Sequence, residues 1–235
     1  MVSVGSDKDV SRVSTGPGAD AAREAHALLQ GDGDRYYARE RLRWLRKCLD
    51  ELGERPAAML DFGCSGGGVT SADYFAQLSI RSLVGVEVTA NRDRAAEPLG
   101  VSESATFVHV ADYRATESMD LAFTHGVIPH MPERDRAAAA VLVFRSLKSG
   151  GLFAFWNHNP WSPGARLTWN GSSNGHGRPL APPDARRLLR GVGFDIVHTT
   201  STFYFPRTLS WCRPLEPMLA QLPLGREYMV LARKP

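Results

Sequence analysis

Cysteine is scarce in this sequence: Cys48, Cys64 and Cys212 are the three among 235 residues. An odd number at scattered positions excludes a disulfide framework and a cysteine-cluster zinc site, and suits a reducing, cytoplasmic compartment. No apolar run reaches the ~18 to 20 residues that span a bilayer, so no transmembrane segment is expected. The opening residues, rich in Ser, Gly, Asp and Lys, lack the apolar h-region of a secretory signal. Residues 1–18 are therefore expected to be a disordered leader. The net charge of +3 is too small to imply a nucleic-acid partner. No internal repeat and no second domain are visible, and residues 19–235 read as one domain.

What is present suits a globular α/β chain. Hydrophobic residues make up 43% and charged residues 23%, ordinary proportions for a folded domain with one core. The one uneven feature is a crowd of basic residues: Arg35, Arg39, Arg41, Arg43, Arg46 and Lys47. A solvated helix face is the favoured reading, and a rim attracting an anionic substrate is the alternative. Asp34 can cap that helix, expected over 35–52, with Leu42, Leu45 and Leu49 as its core stripe. Together with an earlier helical stretch at 19–29 it forms a pair of cap helices spanning 19–55.

Beyond Pro56, strand and helix signals alternate. Strands are expected over 57–62, 83–88, 106–111, 119–124 and 152–156. Helices are expected over 69–78, 91–99 and 134–147, and a turn at 148–151 precedes the fifth strand. Such alternation builds βαβ units and a parallel sheet covered on both faces. An irregular tract at 157–183 is long for a compact domain and is expected to be a substrate loop. A helix over 183–191 and a strand over 194–205 follow. An apolar insertion at 206–225 is expected to pack on the sheet as a cover, before a last strand over 226–232.

The chemistry concentrates at the strand ends. In an open parallel sheet ligands bind beyond the carboxyl ends of the strands. The first strand runs through Leu60-Asp61-Phe62 into Gly63-Cys64-Ser65-Gly66-Gly67-Gly68. Glycines suit a sharp turn that a ligand approaches closely. Asp61 before them would repel a phosphate and suits a ligand with positive charge or donors. The second strand ends in Glu87, placed to accept hydrogen bonds from ribose hydroxyls. The third ends in Asp112 and Tyr113, suited to an adenine amino group and ring. Three acidic strand ends describe an adenosine site without a diphosphate. A dinucleotide fingerprint is excluded because G-x-G-x-x-G lacks its second glycine here.

These residues resemble the class I S-adenosylmethionine-dependent methyltransferases over about residues 56–151. Asp61, Gly63, Cys64, Ser65 and Gly67 look like the family's glycine motif. Ser65 stands where the family often has glycine, at a cost of ~1 kcal/mol if its φ is positive. Glu87 with Val88 matches the ribose-binding position, and Asp112 with Tyr113 the adenine-contacting one. Met119 through Met131, including Thr124 and His125, is similar to the fourth-strand signature, and Leu147 through Gly151 to the turn before the fifth strand. Tyr36 and Tyr37 with Arg41 resemble an aromatic-aromatic-x-x-x-Arg pattern in helices that lid the cofactor. The resemblance implies S-adenosyl-L-methionine as cofactor. It also implies a Rossmann-like α/β fold with a seven-stranded, mostly parallel sheet whose last strand is antiparallel.

The acceptor is less constrained. Alignment of donor and acceptor can supply up to roughly 7 to 11 kcal/mol. A hydroxyl acceptor also needs a base, and histidine is the usual one. His158, just past the fifth strand, ranks first and His130 second. His176 sits in a glycine-rich tract and ranks lower. Asn159-Pro160-Trp161 follows the wrong strand for an amino-methylating nucleic-acid enzyme. Trp161, Arg166 and Trp169 suit a pocket for a sugar or heteroaromatic ring. No Asp/Asn cluster follows the fourth strand, so no metal is expected. The expected activity is methyl transfer to a small molecule, preferably to a hydroxyl of a natural product or glycoside, by a monomer or homodimer. N- or C-methylation, an RNA acceptor, and a non-catalytic cofactor-binding protein are the alternatives.

Overall fold

The computed structural model describes residues 33–64, 71–88, 104–163, 180–205 and 207–235, without the side chains of 33–36, 71–72 and 207–210. The expected leader, the helices at 19–29 and 91–99, and Ser65, Gly67, Arg166, Trp169 and His176 lie outside them.

Seven strands form one sheet: β1 (Ala58–Phe62), β2 (Ser82–Glu87), β3 (Ala105–His109), β4 (Met119–His125), β5 (Leu147–His158), β6 (Asp195–Thr202) and β7 (Glu227–Arg233). Their spatial order is β3-β2-β1-β4-β5-β7-β6. β1 to β5 pair in parallel, while β7 runs antiparallel to both β5 and β6. The order reverses between β1 and β4, the switch point where such sheets bind ligands. Because β7 is reversed, its first residue, Glu227, lies at the same rim as the carboxyl ends of β1, β4 and β5.

Helices α1 (Gly33–Leu52) and α2 (Ser71–Leu78) cover one face. The stripe Leu42, Leu45 and Leu49 is buried there against Met59, Phe123, Trp156 and Leu231. Helices α3 (Glu133–Ser146) and α4 (Pro182–Val192) cover the other, over Leu60, Phe62, Phe153 and Val230. Side chains alternate along each strand. Glu87, Asp61, His125, His158 and Glu227 therefore share the α1/α2 face with Leu83, Met59, Phe123, Trp156 and Met229.

Two expectations are corrected. The turn at 148–151 belongs to β5, whose ladder begins at Leu147 opposite Met119 and shifts register before Leu121. Gly150 adopts φ +81° there, and its N–H donates to the Lys234 carbonyl at 2.8 Å, so the turn is a bulge stitched to the end of β7. The insertion, Arg207–Leu215 in a 3₁₀ turn and α5 (Glu216–Leu219), is not an apolar cover: Trp211 is 75% and Met218 80% exposed. Polar contacts hold it instead. Glu216 accepts the N–H groups of Tyr204 and Phe205, and the Tyr204 hydroxyl donates to the Leu219 and Leu222 carbonyls.

Over residues 39–47 the exposed basic side chains of α1 are paired. Arg39 pairs with Asp73, Arg43 with Glu40, Arg46 with Asp50 and Lys47 with Glu51. Exposed pairs of this kind add little stability, but they leave little net charge on the face.

Candidate active site at the sheet switch point

The glycine turn begins where β1 ends. Gly63 has φ +88°, a conformation side chains disfavour, and a Cβ there would stand 2.2 Å from Val127 Cγ2. Its N–H donates to the Val86 carbonyl at 2.7 Å, so the turn is fixed to β2. Cys64 follows and is half-buried.

Asp61 is buried and accepts a 2.9 Å hydrogen bond from the Tyr74 hydroxyl of α2. Burial pushes its carboxyl up to about 7; the Tyr74 bond opposes this and the Glu87 charge adds to it. Among the described residues no basic side chain pairs with Asp61. Glu87, on the adjacent strand, is fully buried, and its Oε1 accepts the Val88 N–H at 2.8 Å. Two neighbouring buried carboxylates with hydroxyl and backbone donors form a site of negative potential. That donor set fits a cationic ligand carrying a ribose.

The other expected cofactor residues divide. Asp112 is exposed beyond β3, at the rim. Tyr113 turns the other way: it is buried in the α3/α4 core, where its hydroxyl donates to Ser146 at 2.9 Å. The Thr124 hydroxyl is buried and donates to the Phe62 carbonyl at 2.8 Å, tying β4 to β1. Tyr37 packs edge-on against Phe203 with the Arg226 guanidinium over its ring.

At the far side of the switch point lies a cluster that sequence reading did not assemble. Arg41, buried on α1, donates from Nε to Glu227 Oε2 at 2.7 Å and from Nη2 to Oε1 at 2.9 Å. Glu227 Oε1 is also 3.6 Å from His125 Nε2 and 3.7 Å from His158 Nδ1. The two imidazoles meet edge-on, 5.5 Å between centroids. Burial works to raise the Glu227 carboxyl, but Arg41 and then His125 overcome it and hold it well below the carboxylate range. The side chain of His125 is 6% exposed and that of His158 32%, so His158 is the member that reaches outward. Ligand-capable atoms of His125, His158 and Glu227 lie within 4.8 Å of one another. The bidentate Arg41 guanidinium opposes a second cation there.

The loops around this cluster are fixed by buried polar side chains. Asn159 donates to the Pro223 and Gly225 carbonyls at 2.9 and 2.8 Å, and its N–H to the Arg226 carbonyl at 2.9 Å. It thereby sets the end of β5 against the start of β7. Arg136 donates to the Pro129 and Met131 carbonyls, holding the 3₁₀ turn Ile128–His130 after β4. His130 is exposed on that turn and outside the Glu227 cluster. Asp120, at the opposite end of β4, accepts the N–H groups of Ala57 and Ala58 and a Lys148 ion pair, a structural clamp.

Residues 60–155 match the Methyltransferase domain family. Among curated proteins none matches the sequence. Solved structures share the fold. A Burkholderia thailandensis 1,6-didemethyltoxoflavin-N1-methyltransferase, solved with 1,6-didemethyltoxoflavin and S-adenosylhomocysteine bound, is 20% identical with a TM-score of 0.57 over 94% of this chain and 91% of that one. The magnesium protoporphyrin IX methyltransferase of Synechocystis PCC 6803 is 16% identical with a TM-score of 0.57 over 92% and 95%. A Haloferax volcanii chain, solved in complex with the methyltransferase activator Trm112, is 14% identical with a TM-score of 0.62 over 94% and 98%. At such identities the likeness is one of fold.

Proposed function

We propose that this chain, whose residues 60–155 match the Methyltransferase domain family, is a class I S-adenosylmethionine-dependent methyltransferase that methylates a hydroxyl of a small molecule, with His158 as the base. One observation carries the reading: the His158 cluster stands at the same rim as Asp61 and Glu87, two strands beyond β1. The methyl acceptor would therefore lie over β4 and β5, between the cofactor residues and the histidine. The Burkholderia and Synechocystis proteins are named for the small molecules 1,6-didemethyltoxoflavin and magnesium protoporphyrin IX, which supports a small-molecule acceptor here.

Cofactor residues divide the molecule between them. Glu87 accepts the ribose hydroxyls, Asp112 lies beside the adenine, and Asp61 faces the cationic methionyl end. Gly63 and Cys64 shape the turn against it, while Thr124 holds that turn to β4. When bound, the sulfonium supplies the activated methyl and needs no further activation from the protein. His158 takes the acceptor proton as the oxygen–methyl bond forms, a contribution of about 10²- to 10⁴-fold. The paired basic side chains of α1 fit a small molecule better than RNA.

Calorimetry with S-adenosylmethionine tests the site, and methyl transfer over a panel of hydroxylated acceptors tests the reaction. His158→Ala should bind the cofactor normally and lose about 10²-fold or more in turnover. Unchanged turnover would sink the hydroxyl reading and favour an acceptor that needs no base.

The Asp61 carboxyl sets a pH dependence. With its pKa near 7, the ligand-free site is partly protonated at neutral pH. A cationic ligand selects the ionised form, so affinity should rise with pH through about 7 and level off above it. The Tyr74 hydroxyl bond holds that pKa down, so Tyr74→Phe should move the midpoint of the affinity–pH curve upward. A curve flat from pH 6 to 8 would show that Asp61 does not face the cation.

A further inference from the structure

We infer that Glu227 is the positioning residue that makes His158 a base, by fixing which of its ring nitrogens carries the proton. The inference rests on His158 acting in the proposed transfer.

Its ground is the arrangement at the rim. His158 and Glu227 are directly opposed across the β5–β7 ladder, so their side chains leave the sheet on the same face. The nitrogen of His158 nearest the carboxylate is Nδ1, 3.7 Å from Oε1. A proton on Nδ1 points at the carboxylate and leaves the Nε2 lone pair for the acceptor. The distance is longer than a hydrogen bond, as is common for catalytic pairs before substrate binds. Glu227 itself cannot drift. Its two bonds from Arg41 tie it to α1, and the start of β7 is held to the end of β5 through Asn159.

The charge balance favours the same assignment. Arg41 from α1, His125 from β4 and His158 from β5 face the carboxylate, and Arg226 is engaged over Tyr37. Arg41 and Glu227 cancel, so the cluster is neutral when both histidines are neutral. In the transfer the acceptor oxygen forms its bond to the methyl, the sulfur–carbon bond breaks with its pair left on sulfur, and the hydroxyl proton goes to His158 Nε2. The imidazolium then stands beside a buried, ionised carboxylate. His125, the deeper of the two imidazoles, lies against the same Oε1.

The first arm of the test needs no acceptor. Side-chain ¹⁵N NMR of the full-length protein reports the tautomer and pKa of each histidine. Wild-type His158 should carry its proton on Nδ1 at pH 8. Glu227→Gln should shift its tautomer towards Nε2–H and lower its pKa by about one unit or more. If Glu227→Gln does not fold, because Arg41 is left unpaired, Arg41→Met/Glu227→Gln removes both charges and should still release the tautomer. An unchanged tautomer and pKa in the folded variant overturn the inference. So does stoichiometric zinc binding that shifts both histidines and is lost in Glu227→Gln, since that would make the cluster a metal centre. Turnover separates the two readings. If His158→Ala retains full turnover the base assignment fails, whatever the NMR shows. If His158→Ala is inactive and Glu227→Gln keeps the wild-type kcat and pH profile, only the role of Glu227 fails.

Discussion

Arg41→Met should be the most destabilising single substitution at this site, at about 3–5 kcal/mol, because it leaves a carboxylate buried without its cation. For a chain of this size that is a fall of roughly 6–20 °C in melting temperature. Arg41 and Glu227 are both almost wholly buried, with side-chain exposures of 7% and 3%. The sign with pH follows from the depressed Glu227 carboxyl. A group whose folded pKa is lowered adds stability above its unfolded value, near 4.5, and that stability is lost as pH falls towards the folded value. The gap between wild type and Arg41→Met should therefore be widest at neutral pH and narrow below about pH 4.5. Thermal melts across that range check it, and a gap independent of pH would mean that the lost packing of α1, not the charge, is responsible. Arg41→Met/Glu227→Gln should recover most of the loss, because removing both members of a buried pair is often close to neutral.

The cluster was hard to read in sequence for a definable reason. Arg41 and Glu227 are 186 residues apart, and neither sits in a motif that names the other. Arg41 was legible as one of a crowd of basic residues and as the end of an aromatic-aromatic-x-x-x-Arg pattern, neither of which points to the Glu227 it pairs with. Glu227 reads as an ordinary charged residue leading into an apolar strand. The available signal was topological. Once the last strand is antiparallel, its first residue must lie beside the end of the fifth strand, and the charged residue there becomes a neighbour of His158. By contrast Asp61, Gly63 and Glu87 were legible because each lies at the end of an apolar run that could only be a buried strand, next to glycine or at a strand terminus. Tyr113 follows Asp112 directly, yet it is buried in the α3/α4 core while Asp112 is exposed. One residue further along the chain the side chain faces the opposite way, and Ser146 of α3 supplied a buried partner that no local pattern announces. The exposed Trp211 and Met218 show the same limit: apolar composition predicts burial, but Glu216 and Tyr204 had already fixed the segment by polar contacts.

Asp61→Asn should separate binding from stability. The substitution keeps the shape of the side chain and a carbonyl oxygen for the Tyr74 hydroxyl, removes the charge and turns the second oxygen into an amide donor. A hydrogen bond to a charged group contributes about 1.5–3 kcal/mol, so affinity for S-adenosylmethionine should fall by roughly 10- to 150-fold at pH 8. The ligand-free protein should respond in the opposite direction. Asp61 has a folded pKa raised to about 7 by burial, with the Glu87 charge adding to it. A raised carboxyl destabilises the fold wherever it is ionised: its contribution is fully favourable below the unfolded pKa and is lost as pH rises through about 7. At pH 8 the native chain carries that penalty in full, and the asparagine variant does not. The variant should therefore melt higher than wild type at pH 8 and converge with it near pH 4, in the absence of ligand. Adding the cofactor should reverse the ranking, since only the native site gains the charge–charge contact. A variant that is both weaker in binding and less stable at pH 8 would assign Asp61 to the scaffold. The crossed result assigns the strain of two adjacent buried carboxylates to the site itself, held in place until a cationic ligand relieves it.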